Sequence, residues 1–323
     1  MGMIFSTHPL HPEITTALQA LGTYVVSSAP TPQAILAESS GAEIVVVRAP
    51  IPSGLAAREA GLRAMIRHGA GLDMIPVEEA TAAGVLVANV PGANALTVAE
   101  HVIWTAMALL RRYPLVDRDL RQNGWAAGRA HSDHGRELSG RTLGVFGMGN
   151  IGKALARIAV HGFGMKVICH TRSGTAADGV TAVGLSDLLE RADILALCAP
   201  LTPQTRGIID AEALARMKAG AILINVARGP LVDEAALISA LRSGHLAGAA
   251  IDVFDTQPLP RDHAFFGLPN LILTPHMAGI TEESMLRMGQ GVVAEAARVL
   301  AGDLPDNLVN PECIDLYRRR FPG

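Results

Sequence analysis

A glycine-rich loop between an apolar run and a helical pattern constrains the fold of this chain more than any other sequence feature. The apolar run Leu143–Phe146 is followed directly by Gly-Met-Gly-Asn-Ile-Gly at 147–152, and then by a stretch of helical spacing. Gly147 permits a tight turn, Gly149 lets the backbone approach a pyrophosphate, and Gly152 lets the helix pack closely on the strand. The N–H groups at the start of the helix can bind the phosphate oxygens. Strand, loop and helix together predict a dinucleotide-binding βαβ unit.

Short runs rich in Val and Ile alternate along the chain with longer segments of helical spacing, which is typical of parallel strands joined by crossover helices. This alternation predicts the α/β class, with two doubly wound, Rossmann-like or flavodoxin-like domains. The first series of predicted strands is Met3–Phe5, Thr23–Val26, Ile44–Val47, Ala64–Arg67 and Val85–Ala88. The second series is Leu143–Phe146, Lys166–Cys169, Ile194–Leu197, Ala221–Asn225, Ala249–Val253 and Leu271–Leu273. The helix after the glycine loop is predicted over Ala154–Val160.

Two helical segments suggest where the domains meet. Val98–Arg112 has apolar positions at helical spacing and arginines at its end, which predicts a long connecting helix. Glu282–Leu300 is predicted to be another helix, and the polar tail that follows is interpreted as returning to the first sheet. With 323 residues, the chain is about twice the length of a common ~150-residue domain. We therefore predict a substrate domain at 1–98 plus 285–323 and a dinucleotide-binding domain at 99–284.

Composition excludes several classes of protein. The net charge of -3, from 27 basic and 30 acidic residues, makes nucleic acid a poor candidate for a partner. The three cysteines form no CxxC pair, which indicates a reducing compartment. Residues 1–13 have no charged-then-apolar signal pattern, so we expect a cytoplasmic location. The longest apolar stretch, Val102–Leu110, is far shorter than the ~20 residues that span a bilayer, so we expect no membrane partner. No two histidines four residues apart flank an acid, so we expect no metal site.

The residues after the second strand of the βαβ unit bear on the choice of coenzyme. A site that prefers NAD usually has an acidic residue there to bind the ribose hydroxyls. This chain instead continues from Cys169 with His170, Thr171 and Arg172, and the next carboxylate is Asp178. Because a guanidinium can pair with the 2′-phosphate of NADP, we predict that NADP(H) is preferred and that NAD(H) is the second coenzyme. The alternative is that Arg172 is a solvated loop charge and the site is indifferent.

Three polar segments in the last third follow predicted strands, at the edge where open α/β sheets bind ligands. These segments are Asn225–Gly229, Asp252–Pro258 and Thr274–Gly279. Each has a structural interpretation when taken alone: Arg228 as a surface ion pair, Gln257 as a turn residue and His276 as a core histidine. Together they offer a cation for a carboxylate, a titratable proton donor and a polar partner for that donor.

The chain resembles the D-isomer-specific 2-hydroxyacid dehydrogenase family over nearly its whole length. The matching segments are HGAGLDMI at 68–75, NVPGANALTVAEH at 89–101, GRELSGRTLGVFGMGNIGKALA at 135–156, INVARGPLVDEAALISAL at 224–241, IDVFDTQPLP at 251–260 and LTPHMAG at 273–279. The resemblance implies a substrate domain built from both termini, a central coenzyme domain and a homodimer formed mainly through the coenzyme domains. It also implies reduction of a small 2-oxo acid, such as glyoxylate or hydroxypyruvate, to the D-2-hydroxy acid.

The resemblance also implies roles for particular residues. Arg228 would hold the substrate carboxylate and carbonyl, with the backbone amides around Ala70 and Gly71 as a second anion cradle. His276 would donate the proton once the nicotinamide has delivered a hydride. His101, by contrast, is interpreted as structural. Besides the three glycines of the loop, the residues expected to line the coenzyme are Asn150, Ile151, Thr171, Arg172, Cys198, Pro200, Thr205, Val226, Ala227, Arg228, Asp252, His276 and Gly279.

One position departs from the family pattern. The family usually pairs the catalytic histidine with a Glu directly before the Pro of the DVF segment, and this chain has Gln257 there. A neutral amide can orient the ring of His276 without the charge that raises its pKa. We therefore hypothesise that His276 is protonated only at lower pH than in relatives, so that reduction weakens above about pH 6.5.

Two other functions stay open, of which the first is suggested by the same departure. The Gln-Pro pair followed by a histidine also resembles NAD-dependent formate dehydrogenases, in which oxidation needs no proton transfer to the substrate. A protein of a different class, which senses a dinucleotide without turnover, would need neither Arg228 nor His276. The presence of both residues favours catalysis.

Overall fold

The computed structural model describes residues 2–172, 174 and 176–322. The chain divides into two units, one formed by Met1–Asn94 with Ile280–Gly323 and the other by Ala95–Gly279. Each unit contains one parallel sheet with helices on its faces, so the predicted α/β class with two doubly wound domains is confirmed. The unit boundaries lie at 94/95 and 279/280, whereas the sequence placed them at 98/99 and 284/285.

The strands are β1 Met3–Ser6, β2 Thr23–Val26, β3 Ala42–Val47, β4 Ala64–Arg67, β5 Leu86–Ala88, β6 Thr142–Phe146, β7 Lys166–His170, β8 Val180–Ala182, β9 Ile194–Leu197, β10 Ala221–Asn225, β11 Leu246–Ile251 and β12 Leu271–Leu273. The helices are α1 Pro12–Leu21, α2 Pro32–Glu38, α3 Leu55–Arg58, α4 Val77–Ala82, α5 Ala95–Leu110, α6 Tyr113–Asn123, α7 Trp125–Arg129, α8 Asn150–Phe163, α9 Leu185–Arg191, α10 Ala211–Arg216, α11 Glu234–Arg242, α12 Glu282–Leu300 and α13 Ile314–Arg320. Short 3₁₀ turns cover Ser132–His134, Gly229–Leu231, Ala264–Gly267 and Pro311–Cys313.

The sheet of the first unit is parallel in the order β2-β1-β3-β4-β5. One face carries Ile4, Ile44 and Ile66, which are buried in a core that also contains the apolar side of α12. The chain after α12 returns to this sheet, where the Val309 N–H donates a 2.8 Å hydrogen bond to the Val87 carbonyl beside β5. Both ends of the sequence therefore build one core.

The sheet of the second unit is parallel in the order β12-β11-β10-β9-β6-β7-β8. Helices α5 and α8 pack together on one face, where their apolar residues share a core with Val145, Ile194 and Ile224. The other face packs against α9, α10 and α11. Among the helices of the described residues, none combines the length and the apolar character needed to cross a membrane.

The elements that differ from the sequence prediction include strands β8 and β11 and helix α5. Strand β8 was not predicted, because it has three residues and two of them are exposed at the sheet edge. Strand β11 begins and ends earlier than the predicted Ala249–Val253, since the chain leaves the sheet when it reaches the buried Asp252. Helix α5 begins and ends before the predicted Val98–Arg112, because Arg112 adopts a left-handed φ of 55° that separates it from α6.

Candidate active site

The glycine loop at the end of β6 has the steric features that the sequence predicts. Gly147 has a φ of 103°, and a Cβ there would lie 2.6 Å from the Ala199 backbone nitrogen. A Cβ on Gly152 would lie 2.2 Å from the Gly147 carbonyl oxygen. A Cβ on Gly149 would meet no atom of the described chain within 4 Å. The first and third glycines are therefore required by packing, whereas the second leaves open space in front of the loop.

Helix α8 begins at Asn150, directly after that open space, and its N-cap residue Gly149 provides no side-chain hydrogen bond. The first N–H groups of the helix therefore lack a cap of the usual kind. Such a helix start, beside a backbone without side chains, matches the shape and charge of a pyrophosphate. The loop fits a dinucleotide on these grounds.

The other predicted coenzyme residues of the same unit lie in loops that follow β7 and β9. Thr171 and Arg172 come directly after β7, and Arg172 is exposed, as is Asp178. The Thr205 hydroxyl donates a 2.8 Å hydrogen bond to the Pro200 carbonyl, which closes the loop after β9. Burial raises the pKa of the Cys198 thiol to about 12, so this thiol stays protonated and is not a nucleophile at neutral pH.

The loop that carries Arg228 is shaped by the amide of Asn225, which is 1% exposed at the end of β10. Its Oδ1 accepts a 3.1 Å hydrogen bond from the Ala227 N–H, and its Nδ2 donates a 2.9 Å bond to the Arg228 carbonyl. The guanidinium of Arg228 in turn donates a 2.6 Å bond to the Ala227 carbonyl. The backbone around Arg228 is therefore fixed by buried groups of its own strand.

Gly229 brings the Arg228 loop against the loop after β11. A Cβ on Gly229 would lie 2.0 Å from the Phe254 carbonyl carbon and 2.3 Å from the Asp255 backbone nitrogen. The Asp255 N–H also donates a 3.0 Å hydrogen bond to the carboxylate of Glu234, at the start of α11. The two loops are therefore packed backbone to backbone, which fixes the spacing between the arginine and the segment that carries Gln257.

His276 and Gln257 form the hydrogen-bonded pair that the sequence suggests. His276 Nδ1 lies 3.0 Å from Gln257 Oε1, and Gln257 Nε2 lies 3.4 Å from the Phe254 carbonyl oxygen. Because the amide NH₂ donates to that carbonyl, Oε1 is the atom turned to the ring, and Nδ1 must carry the hydrogen. Nε2 is then the ring nitrogen that can exchange a proton with a substrate. His276 is exposed and has a left-handed φ of 54°.

Asp252 holds the backbone on which His276 lies. It is 2% exposed, and its carboxylate accepts hydrogen bonds from the Thr274 hydroxyl at 2.7 Å, the Met277 N–H at 2.8 Å and the Ala278 N–H at 3.0 Å. The His276 N–H donates a 2.8 Å bond to the Asp252 carbonyl. The sequence identified Asp252 only as a coenzyme-lining residue, and its contacts show that it also organises the loop of the histidine.

His101 belongs to the support of this loop. Its Nε2 lies 3.4 Å from the Thr274 hydroxyl, and its ring makes an edge contact with Trp104. Burial lowers the pKa of His101, against the opposing effect of the Asp252 charge. These contacts agree with the structural role expected from the sequence.

The predicted anion cradle at Ala70 and Gly71 lies in the first unit. Gly69 has a φ of 130°, and Arg67 Nε donates a 3.1 Å hydrogen bond to the Gly71 carbonyl. Asn89 Nδ2 donates a 2.8 Å bond to the Ala70 carbonyl. Both carbonyls are thus turned to side-chain donors, while within the described chain the N–H groups of Ala70 and Gly71 donate no hydrogen bond. The loop can therefore present two N–H groups to a carboxylate.

Comparisons with known proteins give consistent results. The model of the D-isomer specific 2-hydroxyacid dehydrogenase, NAD binding domain, matches residues 103–278. The chain is 37% identical over 317 residues to D-3-phosphoglycerate dehydrogenase of Methanocaldococcus jannaschii, an alignment that covers 96% of this chain and 60% of that protein. It is 40% identical over 267 residues to glyoxylate reductase of Korarchaeum cryptofilum, covering 81% of this chain and 79% of that protein.

A solved structure is similar over nearly the whole chain. The NADPH-dependent glyoxylate/hydroxypyruvate reductase of Sinorhizobium meliloti, in complex with citrate, matches with a TM-score of 0.86 at 29% identity, covering 96% of this chain and 99% of that one. The phosphoglycerate dehydrogenase is much longer, since this chain spans only 60% of its length.

Proposed function

Because the chain belongs to the D-isomer-specific 2-hydroxyacid dehydrogenase family, we propose that it reduces a small 2-oxo acid of the glyoxylate or hydroxypyruvate class to the D-2-hydroxy acid, with NADPH as the preferred coenzyme. The observation that carries the proposal is the hydrogen bond between His276 and Gln257, on a loop packed against that of Arg228. The similarity to glyoxylate reductase over 79% of that protein supports this substrate class.

Each of these side chains has a defined task in the proposed reaction. Arg228 binds the carboxylate through a two-pronged hydrogen bond and polarises the neighbouring carbonyl. His276 gives the proton on Nε2 to the oxygen that becomes the hydroxyl, while Gln257 keeps the ring in place through Nδ1. The glycine loop and the start of α8 would hold the dinucleotide, which when bound supplies the hydride to the carbonyl carbon.

The proposed preference for NADPH depends on Arg172. The side chain is exposed at the end of β7, where it can pair with a 2′-phosphate. Arg172→Gln should weaken NADPH binding about 10- to 100-fold, the effect of one charge-assisted hydrogen bond, and leave NADH binding nearly unchanged. The measurement is the KM of each coenzyme, with exposed Arg242→Gln as the control. Equal losses for both coenzymes would contradict the preference.

A substrate panel tests the activity itself. Purified protein with NADPH or NADH should reduce glyoxylate or hydroxypyruvate and should not oxidise formate. Formate oxidation is the alternative that Gln257 favours, since a neutral partner for the histidine suits a reaction without proton transfer to the substrate. Coenzyme binding without turnover of any acid across acidic and neutral buffers would instead support a dinucleotide-sensing protein.

We also propose that the chain forms a homodimer through the second unit. Helices α5, α6 and α7 expose the large apolar side chains of Trp104, Met107, Tyr113, Leu120 and Trp125. An exposed apolar patch of this kind is typical of a protein interface. Sedimentation should give twice the mass of 33.8 kDa, and Trp125→Glu should shift the equilibrium to the monomer.

A further inference from the structure

Gln257 lies on an exposed stretch of the second unit, directly after a buried one. Residues Asp252–Phe254 are buried, whereas Asp255–Pro258 are exposed. We call residues 255–263 the Gln257 loop. Exposed loops are the mobile parts of a fold, so a side chain on such a loop has a fixed position only where other contacts hold the loop. The partner of His276 therefore needs support from outside its own stretch of chain.

The carboxylate of Glu234 contacts both ends of the Gln257 loop. Its Oε1 accepts a 3.0 Å hydrogen bond from the N–H of Asp255, the first residue of the loop. Its Oε2 lies 3.2 Å from Nε2 of His263, the last residue of the loop. Glu234 is the first residue of α11, so this carboxylate is held on a helix. One side chain therefore connects both ends of the loop to a rigid element of the unit.

The hydrogen bonds of His263 show which of its ring nitrogens carries the hydrogen. The Phe265 N–H donates a 3.3 Å hydrogen bond to His263 Nδ1, so Nδ1 is an acceptor. In the neutral ring the hydrogen is then on Nε2, which donates it to the carboxylate of Glu234. The contact between the two side chains therefore holds with a neutral histidine and does not require an ion pair.

The two ends of the Gln257 loop also pack on one pair of aromatic rings. The ring of His263 makes an edge contact with Phe265, with centroids 4.5 Å apart, and Phe265 is 1% exposed. Phe265 in turn contacts the ring of Phe254, with centroids 6.4 Å apart. Phe254 directly precedes the loop, and its carbonyl oxygen lies 3.4 Å from Gln257 Nε2. The position of His263 is therefore coupled through the core to the carbonyl that orients the Gln257 amide.

The bond between Gln257 and His276 is sensitive to small movements of the loop. Gln257 Oε1 lies 3.0 Å from His276 Nδ1, and a contact longer than about 3.5 Å is no longer a hydrogen bond. A displacement of the loop by about 0.5 Å is thus enough to break it. Without this bond the hydrogen can move from Nδ1 to Nε2, and the ring is free to turn.

We propose that Glu234 and His263 are positioning residues of the active site. Their hydrogen bond holds the Gln257 loop where Gln257 Oε1 accepts from His276 Nδ1. The ring of His276 then faces the substrate with Nε2, the atom that exchanges the proton. This role rests on the proposed reduction, in which His276 donates the proton. Neither Glu234 nor His263 contacts the reacting atoms, so both act through Gln257.

Glu234→Gln tests the first of the two residues. An amide has one acceptor and one donor group, whereas the N–H groups of Asp255 and His263 both need an acceptor, so one of them loses its partner. The kcat for reduction of glyoxylate should fall about tenfold, the effect of one lost hydrogen bond to a charged group, while the KM of the coenzyme changes little. Glu212→Gln is the matched control, since it removes a carboxylate from the first turn of α10, where it pairs with Arg216. An unchanged kcat in Glu234→Gln would contradict the proposal.

Two substitutions of His263 separate its contacts. His263→Asn keeps a side-chain acceptor for the Phe265 N–H, because Asn is a common N-cap residue, but it removes the donor to Glu234. His263→Gln has a longer side chain, whose NH₂ group can reach the carboxylate of Glu234. The kcat should fall about tenfold in His263→Asn and recover in part in His263→Gln. Equal kcat values in the wild type and His263→Asn would show that the contact does not position Gln257, even if Glu234→Gln should fail to fold.

A double variant distinguishes positioning from a general structural effect. Gln257→Met has already lost the bond to His276, so adding Glu234→Gln to it should lower kcat by less than about twofold further. The same factor of about ten in the wild type and in Gln257→Met would mean that Glu234 does not act through Gln257, and would overturn the proposal.

NMR spectra of the His276 ring test the same role without turnover. At about pH 8, where an ordinary histidine is neutral, long-range ¹H–¹⁵N spectra should place the hydrogen on Nδ1 in the wild type. Glu234→Gln should give a mixture of both tautomers, as Gln257→Met does. The same tautomer in Glu234→Gln and the wild type would overturn the positioning role. A protein that reduces no 2-oxo acid but shows this change of tautomer keeps the positioning role and loses only the proposed function.

Discussion

The carboxyl edges of the two sheets differ in whether their buried polar groups have hydrogen-bond partners. At the edge of the second sheet, Asp252 and Asn225 are almost fully buried, and both oxygens of Asp252 accept hydrogen bonds from their own chain. At the edge of the first sheet, His68 is equally buried and its Nε2 has no partner. The second edge is thus preorganised by the protein itself, while the first leaves a buried ring nitrogen without a hydrogen-bond partner. The proposed reduction requires a preorganised edge like that of the second sheet, because the proton donor His276 and the anion-binding Arg228 must be in place before the reaction.

Removing the proton donor from the preorganised edge should have the largest effect. His276→Ala should lower kcat for reduction about 10²- to 10⁴-fold, the usual contribution of a general acid, while coenzyme affinity changes little. The measurement is steady-state reduction of glyoxylate beside a coenzyme fluorescence titration. His161→Ala, an exposed histidine on α8, is the control. A loss below tenfold would show that His276 does not donate the proton.

Alanine substitutions at two glycines of the loop after β6 should affect coenzyme binding and stability differently. Gly149→Ala places a methyl group in open space, so it should leave the free energy of unfolding unchanged but weaken coenzyme binding about 10- to 100-fold by displacing the pyrophosphate. Gly152→Ala forces a methyl group against the Gly147 carbonyl and should destabilise the fold itself. Denaturant unfolding and coenzyme titration of both variants distinguish these effects. Equal coenzyme affinity in wild type and Gly149→Ala would contradict the proposed position of the pyrophosphate.

The unpaired edge of the first sheet should make the protein sensitive to acid. Because the pKa of His68 falls from 6.5 to about 4 on folding, the unfolded chain binds a proton between these values and the folded chain does not. Stability is therefore lost as the pH falls from about 7 to 5, by about 2 kcal/mol from this group.

His68→Leu should remove that part of the pH dependence, measured by denaturant unfolding in phosphate-free buffer at both pH values. His8 keeps its own smaller contribution of the same sign, since its pKa is also lowered. Identical pH dependence in the variant and the wild type would rule out a buried neutral His68.

The smallest of the expected effects comes from changing Gln257, the hydrogen-bond partner of His276. Gln257→Glu adds a negative charge at the atom that lies 3.0 Å from His276 Nδ1, which stabilises the protonated ring and raises its pKa by about 1 to 3 units. His276 then stays protonated to higher pH, so the pH at which kcat falls on the alkaline side of the profile should rise. Gln257→Met, which neither charges nor orients the ring, is the matched control. If the profiles of Gln257→Glu and wild type coincide, the electrostatic account of this pair is wrong.

Much of the fold is visible in the sequence because its signals are local. Runs such as Ile194–Leu197 and Leu271–Leu273 are continuous and apolar, and the structure has strands at those same residues. Helix α8 begins four residues before the predicted Ala154, because Gly152 lowers the helical pattern where close packing requires it. Strand β8 has no apolar run, and only its pairing with β7 creates it.

In the candidate site, too, features within one short segment could be predicted from the sequence, and contacts between distant segments could not. The glycine loop and the pair of Gln257 with His276 were predictable, since each lies in a short motif with its own chemistry. The organising role of Asp252 and the contact of Gly229 with Phe254 were not, because they join segments that are distant in sequence. The alignment of the carboxyl ends of β1, β3 and β4 depends on the register of three strands, which no single stretch of sequence contains.

The composite origin of the first core has a consequence during synthesis. The face that carries Ile4, Ile44 and Ile66 is made early, but the helix that covers it, Glu282–Leu300, is translated only after the whole second unit. The second unit can fold as it leaves the ribosome. The first sheet keeps its apolar face exposed until the helix Glu282–Leu300 has been made. In the cell, we therefore expect chaperones to bind the amino-terminal segment of the nascent chain more than the segments that follow it.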